Sequence, residues 1–202
     1  MFIVFEGIDG CGKSTQVWEL SRYLSSLNKY THCLVTREPY KEREIRKILR
    51  QEENPESQKE KLTELFVKDR QEHIDELILP FLNKGITIIS DRYKYATIAY
   101  QGAQGQDIQG LINLHESMPI PDFIFIIDTP TETAVERMKK DSIRETEHKF
   151  EKDKSFLEKV RNNYHKLKEL LPKENIIMID GTKSIEEISE KIKTHFIDFK
   201  NI

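Results

Sequence analysis

The stretch Gly7-Ile8-Asp9-Gly10-Cys11-Gly12-Lys13-Ser14 constrains the fold more than any other feature of this chain. It fits the pattern G-x-x-x-x-G-K-[S/T]. The apolar run Phe2-Ile3-Val4-Phe5 precedes it and reads as a buried strand. Behind it, Val17, Leu20, Leu24 and Leu27 recur at helical spacing. Strand, glycine loop and helix in that order are the context in which this pattern binds phosphate. Successive backbone N–H groups turn inward and cradle phosphate oxygens at a helix N-terminus. Lys13 would then reach the β- and γ-phosphates, and the Ser14 hydroxyl would bind Mg²⁺.

Length and charge narrow the class. A chain of 202 residues is long enough to bury a sizeable core and defaults to one α/β domain, here 1–202. The formal charge of −3 argues against binding a nucleic-acid polymer, which calls for a basic surface. No apolar run approaches the ~18 residues of a membrane span. The first strand starts at residue 2, so no signal peptide is expected. The two cysteines are Cys11, inside the loop, and Cys33, an arrangement that predicts a cytoplasmic protein without a structural disulfide.

Five short runs rich in β-branched and aromatic residues predict strands: Phe2–Glu6, His32–Thr36, Ile86–Ser90, Asp122–Ile127 and Ile176–Asp180. Helical patterns separate them: Ser14–Leu27, Lys41–Gln51, Gln58–Asn83, two between Tyr95 and Met118, Thr131–Lys140, Asp153–Leu171 and Ser184–Phe199. Gly85 and Pro172 mark helix stops, and Pro80 should kink the third helix or end it early. The alternation predicts a five-stranded, doubly wound parallel sheet.

In such sheets ligands bind beyond the carboxyl ends of the strands. Thr36-Arg37-Glu38-Pro39 follows the second strand and Asp91-Arg92-Tyr93 the third. Two arginines are thus delivered to the edge that holds the phosphate loop. Asp91, one residue past its strand, has the place of an acidic partner for the metal that Ser14 would bind. In the third helix, Asp69, Arg70 and His73 interrupt the apolar face of Leu62, Leu65, Phe66, Leu77, Ile78 and Phe81. Phe66 and Arg70 stand one turn apart, an arrangement that suits stacking and edge recognition of a planar heterocycle. A core Phe beside an Arg paired with Asp69 satisfies the same pattern. Between Arg137 and Lys154, basic residues interleave with acidic ones. That segment is either a solvated charged stretch or a basic flap, about 138–152, able to cover the phosphate loop.

The chain resembles the thymidylate kinases, a family of P-loop nucleoside-monophosphate kinases, along essentially its whole length. The resemblance rests on Phe5-Glu6-Gly7-Ile8-Asp9-Gly10, Thr36-Arg37-Glu38-Pro39, Glu64-Leu65-Phe66 with Arg70, and Asp91-Arg92-Tyr93 followed by Ala99-Tyr100-Gln101-Gly102. It continues in Pro121-Asp122 ahead of Asp128, in Phe150-Glu151 before Phe156-Leu157, and in Asp180-Gly181-Thr182-Lys183-Ser184. It implies phosphorylation of dTMP to dTDP by ATP with Mg²⁺, within dTTP synthesis, and a homodimer. Arg37 and Arg92 would hold the dTMP phosphate, with Glu38 and Thr97 also in the substrate site. Phe66 would stack on thymine, Arg70 and Gln101 would read its edge, and Tyr100 would press where a 2′-hydroxyl would lie. Asp9 would sit near the 3′-hydroxyl or the metal. The loop from Gly7 to Thr15 would hold the ATP phosphates, while Arg137 with Gly181, Thr182 and Lys183 would sandwich adenine.

The chain also departs from the family. Gly10 stands where some members carry a catalytic arginine, so the missing charge is expected from the flap, where Arg144 and Lys149 are both candidates. Ala96 replaces a common serine, and Tyr40-Lys41-Glu42 replaces the usual glycines after Pro39. A kinase for dUMP or UMP is the alternative, since one methyl discriminates by only ~1–3 kcal/mol. A P-loop nucleotide switch would show an N-K-x-D motif, which the chain lacks.

Overall fold

The computed structural model describes residues 1–27, 29–41, 43–51, 58–140 and 154–200, and of 50, 51 and 197–200 the backbone alone. Five parallel strands form one sheet: β1 (Phe2–Glu6), β2 (Cys33–Arg37), β3 (Thr87–Asp91), β4 (Phe123–Asp128) and β5 (Ile176–Asp180). Their order is β2-β3-β1-β4-β5, which puts the strand before the phosphate loop at the centre. Phe5 pairs with Asp91 on one side and Phe125 on the other, so the carboxyl edge is in register across three strands. Every residue of β1 is buried, as a central strand covered on both faces requires.

The helices are α1 (Lys13–Leu27), α2 (Arg43–Gln51), α3 (Lys59–His73), α4 (Leu79–Leu82), α5 (Lys94–Ala103), α6 (Ile108–Asn113), α7 (Thr131–Lys140), α8 (Lys154–Leu170) and α9 (Ile185–Lys200). α1 packs with α9, while α5 packs with α3, α6 and α8. The main core runs through all five strands, and a second cluster of Ile45, Ile48 and Leu62 joins α2 to α3. Among the described residues no helix is long and apolar enough to cross a membrane.

The third helical pattern is not one regular helix. Ile74–Ile78 forms a π turn between α3 and α4, in which the Leu79 N–H reaches back five residues to the Ile74 carbonyl. Pro80, which has no N–H to donate, follows directly on the π turn, and the helical path continues through it to Leu82. Gly85 then turns the chain with φ +75°.

Candidate functional site

The phosphate loop turns at Gly7, Gly10 and Gly12, with φ of 136°, 80° and 101°. At Gly10 a Cβ would meet the Ala134 carbonyl at 2.3 Å, so no side chain projects into the site from that position. Lys13 opens α1 and is buried; its Nζ donates to the carbonyls of Gly7 and Ile8, both at 2.9 Å. Ser14 donates from Oγ to Asp91 Oδ2 at 2.8 Å. Arg37, from the end of β2, donates to the same Asp91 oxygen at 3.0 Å and to Ser14 Oγ at 3.3 Å. Three separate segments therefore meet at one node.

Asp91 is buried, and its Oδ1 has no partner among the described residues. Burial alone would push this carboxyl upward, yet the charges of Lys13, Arg92 and Arg37 hold it below its ordinary range. A buried carboxylate with one oxygen open, beside a serine hydroxyl, is a donor set that fits Mg²⁺. Mg²⁺ takes few protein ligands and completes its shell with phosphate and water. Among the described residues there is no group of three His, Cys, Asp or Glu side chains that would cage a metal alone.

Arg92 follows β3 with φ +77°, a region that is strained for any residue with a Cβ. Its N–H donates to the Phe5 carbonyl at 2.9 Å and its own carbonyl accepts from Ser90 Oγ at 2.7 Å, which holds the strained turn. The guanidinium reaches Asp9 Oδ1 at 2.5 Å and lies 5.0 Å from the centre of the Tyr100 ring. Tyr100 Oη donates to Asp9 Oδ2 at 3.0 Å. Burial acts to raise Asp9, but Arg92 and then Lys13 outweigh it and keep the carboxylate ionised well below its usual range. Burial pushes the Tyr100 phenol far up, so it stays a donor.

Arg70 is buried and pairs with Glu38 at 2.7 Å. The alternative left open by the sequence, an Arg70 paired with Asp69, is not the arrangement found. Neighbouring residues on a helix point apart, and Asp69 instead accepts from the N–H groups of Tyr40 and Lys41, at 2.5 and 2.7 Å. With Tyr40 stacked on His73 at 4.5 Å, these bonds set the path of the loop after Pro39 that the absent glycines left open. Thr97 accepts from Arg70 at 3.0 Å. Gln101 is buried, and its Nε2 has no partner among the described residues. Phe66 is half-buried against the Ile45, Ile48 and Leu62 cluster.

On the other side of β1, the Cys11 carbonyl accepts from Thr129 Oγ1 and from Arg137 Nη1, each at 3.4 Å. Gly181 packs so tightly that a Cβ would meet Thr129 Oγ1 at 2.0 Å. Thr182 and Lys183 stand exposed beyond it. The loop after β5 thus reaches the phosphate loop through Thr129, a residue the motifs did not single out. Arg144 and Lys149 lie outside the described residues.

Glu6 was also missed as a site residue. It ends β1 fully buried and accepts from the Tyr93 N–H and the Tyr164 hydroxyl, both at 2.8 Å. Burial pushes it up to about 7. An acidic residue closing an otherwise apolar central strand was its one signal in the sequence.

A family model described as thymidylate kinase matches residues 5–192. The chain is 40% identical over 201 residues to a thymidylate kinase of Thermosipho africanus, with 96% of each chain covered. It is 38% identical to a probable thymidylate kinase of Pyrococcus horikoshii, covering 95% of this chain and 93% of that one. A thymidylate kinase of Acholeplasma laidlawii is 34% identical, with 98% of each covered.

Proposed function

The chain belongs to the thymidylate kinase family, and from that premise we propose how its residues divide the work. The protein phosphorylates dTMP to dTDP. ATP is the donor, held by the loop from Gly7 to Thr15, with Arg137 and the segment Gly181, Thr182 and Lys183 flanking its base. The observation that carries this division is the node of Ser14, Asp91 and Arg37, which stands next to the pairing of Arg92 with Asp9.

Ser14 and Asp91 would hold Mg²⁺, which supplies charge neutralisation on the phosphate oxygens when bound. Lys13 leaves its own loop carbonyls and donates to the β/γ region. Arg37 and Arg92 take the dTMP phosphate, whose oxygen is already anionic, so attack on the γ-phosphorus needs no general base. The protein's contribution is position and charge. Asp9, kept ionised, accepts from the sugar 3′-hydroxyl, and the Tyr100 ring closes the space beside C2′. Phe66 flanks thymine, with Arg70 and Gln101 at its edge and Glu38 and Thr97 fixing Arg70. A segment at about 138–152 of this single domain acts as lid, and the enzyme is a homodimer, both supported by the family resemblance.

A coupled assay comparing dTMP, dUMP, UMP and dGMP with ATP, with and without Mg²⁺, tests the reading. The highest kcat/KM is expected for dTMP and turnover should stop on chelation. A preference for UMP, or turnover undiminished by chelator, would overturn it.

A further inference from the structure

A guanidinium has five N–H donors in a fixed planar fork. In Arg70, Nε donates to Glu38 Oε2 at 2.7 Å, and Nη2 divides between Thr97 Oγ1 at 3.0 Å and the Tyr93 carbonyl at 3.3 Å. Nη1 meets His115 Nε2 at 2.7 Å. Four donors are occupied, and one N–H of Nη1 remains without a partner among the described residues. One turn beyond Thr97 on α5, Gln101 Nε2 is buried and also unpartnered. Two buried donors, one held against Thr97 of α5 and one a turn further along that helix, therefore await acceptors, the complement of a carbonyl-bearing edge.

His115 stands just past α6 and is 1% exposed. Its Nδ1 lies 2.7 Å from the Leu111 carbonyl, which can only accept. The proton must sit on Nδ1, leaving the Nε2 lone pair toward Arg70, which can only donate. Burial, then the charge of Arg70, pushes its pKa down to about 3, with Lys94 acting in the same sense, so the ring stays neutral. Removing this acceptor would leave two buried Nη1 protons unpaired. An unsatisfied buried donor is costly, and the guanidinium would rotate to satisfy one, taking the free N–H off its line.

We propose that His115 is a positioning residue of the pyrimidine subsite: by accepting one Nη1 proton of Arg70 it aims the other at the carbonyl edge of the base. The proposal rests on the assignment of Arg70 to the base edge. His115 then sets affinity for the nucleoside monophosphate without touching it, and has no part in phosphoryl transfer.

Steady-state kinetics in dTMP and in ATP test this with His115→Leu, His115→Gln and Arg70→Lys. His115→Leu should raise KM for dTMP about tenfold, the effect of one buried hydrogen bond, while kcat and KM for ATP stay within about twofold. His115→Gln, whose Oε1 can accept from Nη1, should restore most of the affinity. If His115→Leu does not fold, His115→Asn carries the same contrast, because its acceptor is too short to reach. Arg70→Lys tests the assignment beneath the proposal. If Arg70→Lys weakens dTMP binding but His115→Leu and His115→Asn do not, the positioning role is wrong and the assignment of Arg70 stands. An unchanged KM for dTMP in Arg70→Lys sinks both. A His115→Leu protein that loses kcat and affinity for both nucleotides equally makes His115 a packing residue only, as does a His115→Gln protein as impaired as His115→Leu.

Discussion

Lys13 folds its ammonium back onto the carbonyls of Gly7 and Ile8, which take two of its three N–H donors and hold the charge inside the loop. Lys13→Ala should therefore lower kcat by ~10²–10³, the usual effect of deleting an electrostatic contact to the transferring group, with the melting temperature largely kept. A wild-type kcat in that variant would remove the loop from catalysis. Tyr100 has its hydroxyl fixed by Asp9 and its ring beneath Arg92. Tyr100→Ala should narrow the ratio of kcat/KM for dUMP over UMP, and an unchanged ratio would take Tyr100 out of sugar selection. At this scale the sequence was legible wherever a motif fixed a residue's neighbours along the chain. Lys13, Ser14, Asp91 and Arg92 were singled out that way. Glu38 as the partner of Arg70 was not, because 32 positions separate them and only the sheet brings them together. Glu6 lies within a quoted motif that says nothing of its partners, and His115 lies in none; what each one bonds is set by the fold.

The strands were legible to within a residue at either end, because parallel strands covered on both faces are continuous apolar runs. The π turn was not, since five residues of wide turn leave the apolar spacing almost unchanged. The flap poses the sharpest question among the elements. Packing at Gly10 against Ala134 leaves no room for a side chain at that position, so any charge an arginine would add to that of Lys13 is expected from outside the loop. Arg144 offers a fork that can bridge two oxygens, whereas Lys149 offers a point charge. Arg144→Ala should lower kcat by more than it changes KM, and Lys149→Ala should do less damage. Single-turnover measurements in which Lys149→Ala is the worse variant would reverse the two roles.

Two buried groups give the whole molecule opposing responses to pH. Glu6 is raised from 4.5 to about 7. Between those values the unfolded chain releases a proton the native state keeps, so stability falls as pH rises, by on the order of 3 kcal/mol at most. His115 is lowered from 6.5 to about 3, so there the unfolded chain binds a proton the native state refuses, and stability falls as pH falls. Urea unfolding across pH 4 to 8 should show Glu6→Gln gaining on the wild type as pH rises towards 7, and His115→Gln gaining as pH drops below 6.5. Parallel curves for wild type and either variant would contradict that assignment. The strand order has a different kind of consequence. β2 and β3 lie on one side of β1 and lead into Arg37 and Arg92, assigned to the acceptor, with Asp91, assigned to the metal, ending β3; β4 and β5 lie on the other side and lead into Arg137 and the Gly181, Thr182 and Lys183 segment assigned to the donor. Because these pairs are also consecutive along the chain, the gene is divided as the site is. On that assignment, substitutions that alter the choice of monophosphate are expected mainly before β4, and those that alter contact with the triphosphate's base mainly after it. β1 and its loop, together with Asp91, then answer to both.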